Sequence, residues 1–367
     1  MRDGKYILVN KRRGDHDLTK EFIGYVGTYT RKSSRGIYRF ELDIEAKELT
    51  DVQLAHVTGS PTYLAISKNE KRLYAVAQAD EMGGVSSYEI QEDGKLRYMN
   101  RKLSKGAPPC HVDIRDQALL SGNYHKGTVT WYEINEQGSI HKEITSEEHE
   151  GRGPHERQEK PHVHFTGHTP DGKYVLVVDL GTDELVTYIK KNQALIKLHT
   201  FKTKAGSGPR HIAFHPNGKT AYLLTELSSE VIVLDYKASN GSFIERQVLR
   251  VIPEDFTETN DASAIHVSSD GKFVYTANRG HNSIAVFQAD ETTGNLTFVE
   301  HTNTAGEFPR DFTLDPSEAF IVVANQHTGN LVLFERDEQT GKLTKLDSEI
   351  NVPEAVCVKF LKKEFEG

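Results

Sequence analysis

Short apolar runs separated by polar turns recur along the chain, and residues 206–236 show the pattern at its most regular. The apolar runs of this segment are Ile212–Phe214, Tyr222–Leu224 and Val231–Leu234. An Asn217-Gly218 pair separates the first two runs, and this pair tolerates the positive φ angles that tight hairpin turns need. No run reaches helical length, and β-branched and aromatic residues fill all three. The pattern therefore predicts a series of antiparallel β-strands.

The start of this segment is an anchor, in which a proline and two variable residues precede an apolar-x-apolar triplet. The anchor recurs at intervals of about 44–53 residues, although its third copy is less regular and its fifth has lost the proline. The seven copies begin at Pro61, Pro109, Pro161, Pro209, Ala262, Pro309 and Pro353. Up to three further short strands follow each anchor, and four strands in such a unit are typical of a β-propeller blade. We predict an all-β fold, a seven-bladed β-propeller with four antiparallel strands per blade.

The two ends of the chain complete the ring in this interpretation. The last anchor leaves room for one strand, whereas residues 22–52 supply strands of the second, third and fourth kinds. One blade is then shared, and pairing of the N- and C-terminal strands closes the ring and hides sheet edges. We predict one propeller domain over residues 21–367, preceded by an N-terminal extension over residues 1–20. The polar stretch 146–160 lacks a strand pattern, and is either a solvated linker or a loop across one mouth of the ring.

Composition and charge exclude several classes of function. The formal net charge of −8 leaves no excess of Lys and Arg for nucleic acid or for an anionic membrane. The apolar run Tyr6–Val9 is too short for a signal-peptide core, and no later run approaches membrane-spanning length. Cys110 and Cys357 are the two cysteines of the chain. Two scattered thiols suit a reducing compartment, so we expect a cytoplasmic protein.

Polar side chains that differ between the repeats stand at the strand ends. Because the start of one strand and the end of the next meet at one edge of an antiparallel hairpin, Arg210 and Glu226 are expected to be neighbours. The same positions in other units place His162 and Arg279 at that rim, around the central channel. Strand-end ion pairs are mostly exposed and contribute little, so the case for a site depends on these four side chains converging. The expected substrate-binding neighbours are His164, His211, Asn278, Arg310 and Gln326.

Such a rim would suit an anionic substrate. Two guanidinium groups bind carboxylate or phosphate in a bidentate manner, and a carboxylate and an imidazole between them could transfer protons. Metal binding is the alternative use of the clustered histidines, since zinc needs three or four converging ligands. The histidines in question are His155, His162, His164 and His168. The other histidines belong to separate units and the neighbouring arginines repel cations, so we predict no metal and no other cofactor.

Several segments carry a resemblance to a known family. They are GTYT at 27–30, RQEKPHVH at 157–164, PDGKYVLVVDLGTDELVTY at 170–188, GPRHIAFHPNGKTAYLLTELSS at 208–229, NRGHNSIAVF at 278–287 and ANQHTGNL at 324–331. From about Phe22 onward the chain resembles the seven-bladed propeller lactonases, the cycloisomerase-type 6-phosphogluconolactonases related to carboxymuconate cyclase. The resemblance implies an active-site set of a His, an Arg, a Glu and a second Arg. On motif, these fall on His162, Arg210, Glu226 and Arg279.

The resemblance implies a lactonase, a carboxylic ester hydrolase, with 6-phosphogluconolactone as the expected substrate and 6-phosphogluconate as the product, in the pentose phosphate pathway. In that scheme Arg210 and Arg279 hold the small anionic lactone, while Glu226 and His162 share the roles of base and acid. A muconate-type lactone cyclase or another lactonase stays open, because propellers change substrate through their loops. A non-catalytic binding platform is the other alternative, although the units lack a Trp-Asp ending. We expect a monomer or a weak homo-oligomer.

Overall fold

The computed structural model describes residues 21–362, so the extension predicted over residues 1–20 lies outside the described part. Seven sheets of four antiparallel strands form a ring, which confirms the predicted seven-bladed β-propeller. The short apolar runs become strands because each buries residues on both faces between neighbouring blades.

The strands follow one another with short turns between them. The N-terminal part forms β1 (Glu21–Thr28), β2 (Gly36–Asp43) and β3 (Glu48–Val57). The next three blades contain β4 (Leu64–Ile66), β5 (Arg72–Ala79), β6 (Met82–Ile90), β7 (Leu96–Lys105), β8 (His111–Arg115), β9 (Ala118–Asn123), β10 (Thr128–Ile134), β11 (Ile140–Glu148), β12 (Val163–His168), β13 (Val175–Asp179), β14 (Glu184–Lys191) and β15 (Ala194–Lys202). The remaining strands are β16 (Pro209–Phe214), β17 (Thr220–Thr225), β18 (Glu230–Lys237), β19 (Ser242–Arg250), β20 (Asp261–Val267), β21 (Phe273–Arg279), β22 (Ser283–Ala289), β23 (Leu296–Asn303), β24 (Pro309–Leu314), β25 (Phe320–Asn325), β26 (Asn330–Arg336), β27 (Leu343–Asn351) and β28 (Ala355–Phe360). A single 3-10 turn, Glu156–Gln158, stands between β11 and β12.

The ring is closed by the two ends of the described chain, as predicted. The shared blade has the order β28-β1-β2-β3, and Tyr25 of β1 pairs with Lys359 of β28. The first strand of each blade contacts the first strands of the two neighbouring blades, so these seven strands surround the central axis. Residues at the start of each first strand therefore face one mouth of the channel.

Neighbouring blades pack through apolar faces and are joined by a repeated hydrogen bond. Tyr222 and Leu224 of one blade pack with Val274 and Phe287 of the next, and comparable clusters lie between the other blades. A tyrosine in the second strand of four blades donates its hydroxyl to the carbonyl of a turn glycine in the next blade. The pairs are Tyr25 with Gly94, Tyr74 with Gly138, Tyr222 with Gly294 and Tyr275 with Gly341. These bonds satisfy phenol groups that would otherwise be buried at a cost.

The insertion predicted at residues 146–160 begins later than expected. β11 continues through Glu148, which pairs with Thr128 of β10. Ser146–Glu148 therefore belong to an outer strand, and their polar composition concealed it because much of that strand's side-chain surface faces solvent. Within residues 21–362, no helix is long and apolar enough to cross a membrane. Cys110 and Cys357 are both free thiols.

Candidate active site

The hairpin of β16 and β17 brings Arg210 and Glu226 together, as the strand-end argument predicted. Pro209 pairs with Thr225, so Glu226 follows directly at the edge where Arg210 stands. The Nε atom of Arg210 lies 2.9 Å from Oε2 of Glu226, and both side chains are 3% exposed. Arg210 occupies a register shift between Pro209 and His211. A bulge of this kind changes the direction in which a side chain points.

Two further arginines reach the same carboxylate from other parts of the chain. Arg279 ends β21 in the next blade, and its Nη2 lies 2.7 Å from Oε2 of Glu226. The carbonyls of Asp261 and Ala262 accept hydrogen bonds from the Arg279 guanidinium and hold it in place. Arg157, in the insertion, pairs with Oε1 of Glu226 and, at 2.8 Å, with Asp261. One buried carboxylate thus lies among three guanidinium groups.

The surrounding charges determine the ionisation of this cluster. Burial disfavours the carboxylate of Glu226, but Arg279 and Arg210 outweigh burial and hold its pKa below the usual range. Burial, together with repulsion from Arg279, lowers the pKa of Arg210 to about 10. At neutral pH the carboxylate of Glu226 and the guanidinium group of Arg210 are therefore charged. Removing one partner of such a buried cluster would leave an uncompensated charge and would be strongly destabilising.

A cavity of about 770 Å³ opens above this cluster at the mouth of the channel. Its volume falls in the range of small-molecule sites. The lining includes Tyr124, Arg157, His164, Glu226, Arg279 and Arg310. Glu226 and Arg279 lie at the end of a second strand, whereas His164 and Arg310 lie near the start of a first strand. Residues at the start of first strands and at the end of second strands, the two positions singled out in the sequence, thus surround one cavity.

The histidine of the rim is His164, and the placement of His162 at the position equivalent to Arg210 is wrong by two residues. Val163 pairs with Asp179 and a register shift follows before Phe165, just as the shift at Arg210 follows Pro209. The alignment of the repeats placed the start of this strand at Pro161, but β12 begins two residues later, at Val163.

His162 lies behind the wall of the cavity. Its ring stacks on Tyr124 with 4.1 Å between the ring centroids, and its Nδ1 lies 2.8 Å from the Tyr124 carbonyl oxygen. Its Nε2 lies 3.2 Å from a carboxylate oxygen of Glu159. In the described part of the chain, no hydrogen bond or ion pair joins His162 to Glu226, Arg210 or Arg279. The geometry gives His162 a role in positioning Tyr124, and a catalytic role stays a prediction.

His164, which lines the cavity, and His211, which lies beneath it, are neighbouring imidazoles. Their ring centroids are 5.3 Å apart, and Nε2 of His211 lies 3.3 Å from Nη1 of Arg210. Burial and the nearby charge of Arg210 hold the pKa of both rings well below the ordinary value. Both are therefore neutral at pH 7. His211 lines a small void beneath the cavity that Arg210 also lines.

The histidines considered as metal ligands contact different partners. His155 caps the 3-10 turn, and Nδ1 of His168 lies 2.7 Å from Oδ2 of Asp113. Across residues 21–362, no three of the His, Cys, Asp and Glu side chains are grouped in a way that could hold a metal ion.

Asn278 is not among the residues that line the cavity, and its role in substrate binding stays a prediction. Its side chain is fully buried and donates to the carbonyl of Val251, in the segment that joins its blade to the preceding one. In the same way, Asn123 donates to the carbonyl of Ala107, and Asn325 donates to the carbonyl of Thr304. The asparagine at this position therefore fixes the link between blades, a packing function that the repeat pattern could equally have indicated.

Arg310 and Gln326 lie next to each other in the following blade. Nη1 of Arg310 is 3.5 Å from Oε1 of Gln326, and Arg310 is half-buried in the cavity wall. Gln326 is not among the lining residues, and its role in substrate binding stays a prediction.

Arg157 is the site residue that sequence reasoning missed. The insertion was identified as a possible cover for one mouth, but no repeat pattern aligns its residues with a functional position. The insertion is anchored by Gln158, which is fully buried and donates to the carbonyl of Leu180 and to the carboxylate of Asp183. The neighbouring Arg157 is thereby directed at Glu226.

Comparisons with known proteins agree with this architecture. Residues 23–360 match a family model described as lactonase, 7-bladed beta-propeller. A protein of Bacillus subtilis named 6-phosphogluconolactonase is 52% identical over 347 residues, covering 94% of this chain and 99% of that protein. A solved Lactobacillus plantarum protein is 40% identical with a TM-score of 0.89, over 93% of this chain and 99% of that one. A periplasmic gluconolactonase of Pseudomonas aeruginosa, 29% identical, has a TM-score of 0.89 over the same shares. The chain belongs to the seven-bladed β-propeller lactonase family.

Proposed function

We propose that this protein hydrolyses 6-phosphogluconolactone to 6-phosphogluconate, the lactonase step of the pentose phosphate pathway. The observation that carries the proposal is the carboxylate of Glu226, held between Arg210 and Arg279 at the floor of a sugar-sized cavity. The 52% identity to a protein named for this reaction supports the same substrate.

The reaction begins with attack of water on the lactone carbonyl carbon. Glu226 accepts a proton from the attacking water, and the developing oxyanion is stabilised by Arg279 and Arg157, which line the cavity beside it. As negative charge grows on the lactone oxygen, it competes with Glu226 for these guanidinium groups. The pKa of Glu226 consequently rises at the moment when the carboxylate has to bind a proton. The proton then passes from Glu226 to the ring oxygen as the carbon–oxygen bond breaks.

Arg210 and His164 complete the site in this proposal. Arg210 lies below Glu226 and holds the carboxylate, whereas His164, a neutral imidazole in the cavity wall, can orient the attacking water. His164 replaces His162 in the role of the site histidine, and His162 acts through Tyr124. Neither step requires a metal or another cofactor. We place the enzyme in the cytoplasm, which two unpaired cysteines suit, and expect a monomer or a weak homo-oligomer.

The test is the release of acid from a panel of lactones with and without phosphate, measured against spontaneous hydrolysis. We expect the wild-type protein to accelerate hydrolysis of 6-phosphogluconolactone, and Arg279→Ala to lower kcat/KM at least tenfold. Arg35→Ala is the matched control, since Arg35 is exposed and lies outside the cavity lining. Wild-type activity in Arg279→Ala would contradict the site. Activity restricted to muconate-type lactones would contradict the substrate.

A further inference from the structure

We propose that Arg31 and Arg310, both next to Tyr29, form a subsite for the phosphate group of the substrate, separate from the cluster around Glu226. This inference rests on the proposed function and deepens it, because it assigns recognition of the phosphate to residues that take no part in the bond-breaking step. All three residues line the cavity.

The two guanidinium groups lie close to the same aromatic ring. The guanidinium carbon of Arg31 is 4.0 Å from the ring centroid of Tyr29, and that of Arg310 is 5.4 Å from it. Contacts of this kind are favourable cation–π interactions and favour side-chain conformations in which both guanidinium groups lie near the ring. Tyr29 follows the second strand of the shared blade, so the subsite is formed where ring closure brings the N-terminal part beside the last complete blade.

Arg31 and Arg310 differ from the other arginines of the cavity wall in having no carboxylate partner in the described part of the chain. Arg157 and Arg279 are paired with Glu226. For Arg31 and Arg310, by contrast, no carboxylate of residues 21–362 lies within ion-pair distance, and the polar partner of the Arg310 side chain is Gln326. A phosphate dianion is the ligand that such a pair would bind best, since guanidinium forks match phosphate oxygens.

The Glu226 cluster could not perform this task as well. A dianion placed against Arg210 and Arg279 would compete with Glu226 and separate a buried ion pair, which is costly. With the phosphate held at Arg31 and Arg310, the lactone carbonyl can lie at Glu226, which lines the same cavity. Arg310 belongs to the blade that follows the blade of Arg279. The phosphate and the lactone carbonyl of the substrate would therefore contact adjacent parts of one rim.

The loop that carries Arg31 is held by the segment that closes the ring. Carboxylate oxygens of Glu354 accept hydrogen bonds from the backbone amides of Arg31, Lys32 and Ser34, at 3.1, 2.9 and 3.3 Å. Glu354 directly precedes β28. The backbone of the loop that carries Arg31 is therefore held in place in the free protein, and the cost of ordering this loop on binding is reduced.

The experiment compares two substrates in one series of variants. For Arg310→Gln and Arg31→Gln, kcat/KM is measured with 6-phosphogluconolactone and with glucono-δ-lactone, and their ratio is compared with that of the wild type. We expect the ratio to fall about tenfold to a hundredfold for Arg310→Gln and less for the more exposed Arg31, the range of a charge-assisted hydrogen bond. Arg310→Lys should recover part of it, and Arg35→Gln, on the same loop as Arg31, should leave the ratio unchanged.

Binding of 6-phosphogluconate, measured by calorimetry, gives a readout that does not depend on turnover. We expect Arg310→Gln to weaken this binding at least tenfold, with thermal unfolding showing that the variant is folded. A ratio and a binding constant both within twofold of wild type in Arg310→Gln and Arg31→Gln would overturn the subsite while leaving the lactonase function intact. If the wild type hydrolysed neither lactone, the proposed function would fail, and the binding measurement would still decide the subsite.

Discussion

Replacing Glu226 with glutamine separates the chemical role of this carboxylate from its structural role. The substitution keeps the size of the side chain but removes its charge, and it places an amide among guanidinium donors. In a medium of effective dielectric constant about 20, two unit charges about 4 Å apart attract by about 4 kcal/mol. Glu226 makes two such pairs with fully buried partners, Arg210 at 2.9 Å and Arg279 at 2.7 Å. Desolvation offsets part of this attraction.

Two magnitudes follow from that cluster. We expect Glu226→Gln to lower the free energy of unfolding by about 3–5 kcal/mol at pH 7, the usual cost of removing one partner of a buried pair. We expect kcat for 6-phosphogluconolactone to fall by about a hundredfold to ten-thousandfold, the range for loss of a positioned general base. Urea unfolding followed by circular dichroism measures the first quantity, and acid release measures the second.

A matched control is available four residues further along the chain. Glu230 is partly buried and accepts a hydrogen bond from Ser228, but it does not line the cavity. Glu230→Gln should therefore retain wild-type turnover. The reasoning would be refuted if Glu226→Gln lost stability as expected but kept kcat within about threefold of wild type, because Glu226 would then be a structural clamp and not the proton acceptor.

The same variant has a defined pH dependence. Arg279 and Arg210 hold the pKa of Glu226 below its usual range in the folded protein, even though burial opposes them. Its ion pairs therefore contribute stability that is complete above the unfolded pKa of about 4.3 and is lost as pH falls towards the folded pKa. The difference in unfolding free energy between the wild type and Glu226→Gln should be constant at neutral pH and shrink below about pH 4.

Three further perturbations test the insertion, the contacts between blades and the closure of the ring. Arg157→Met should lower kcat about a hundredfold, as loss of an oxyanion donor does, whereas Arg152→Met on the same loop should not; equal effects would exclude a direct role for Arg157. Tyr222→Phe should lower the free energy of unfolding by about 1 kcal/mol, because it leaves a carbonyl of the next blade without its donor, and the exposed Tyr98 should tolerate the same change with no loss. Deletion of residues 353–367 should abolish cooperative unfolding, since it removes the strand that closes the ring, and a truncated protein with a wild-type melting curve would contradict the closure.

The architecture could be predicted because the repeat is a local property of the sequence. Turn residues such as Gly218, which has φ of 64°, mark the hairpins, and the apolar runs mark the strands. The lone strand after Pro353 and the missing first strand at the N-terminus then required a shared blade. The outer strand over Ser146–Glu148 was missed because solvated outer strands have no apolar pattern to reveal them.

The active site was only partly predictable, for reasons that lie in the backbone. Arg210, Glu226 and Arg279 follow from strand ends, and the structure joins them as the hairpin argument required. The alignment of the repeats assigned the rim position of His164 to His162, two residues earlier, because Pro161 precedes β12 and does not begin it. Arg157 comes from a non-repeating loop, whose position depends on contacts that no periodicity describes.

A crystal structure with 6-phosphogluconate bound is the most direct test of the central claim, that the propeller gathers Glu226, Arg210 and Arg279 into a site for an acidic lactone. We predict the C1 carboxylate of this product beside Arg279 and Glu226, and its phosphate between Arg31 and Arg310. Binding of the product at the opposite mouth of the channel, or on the outer surface of the blades, would contradict the account.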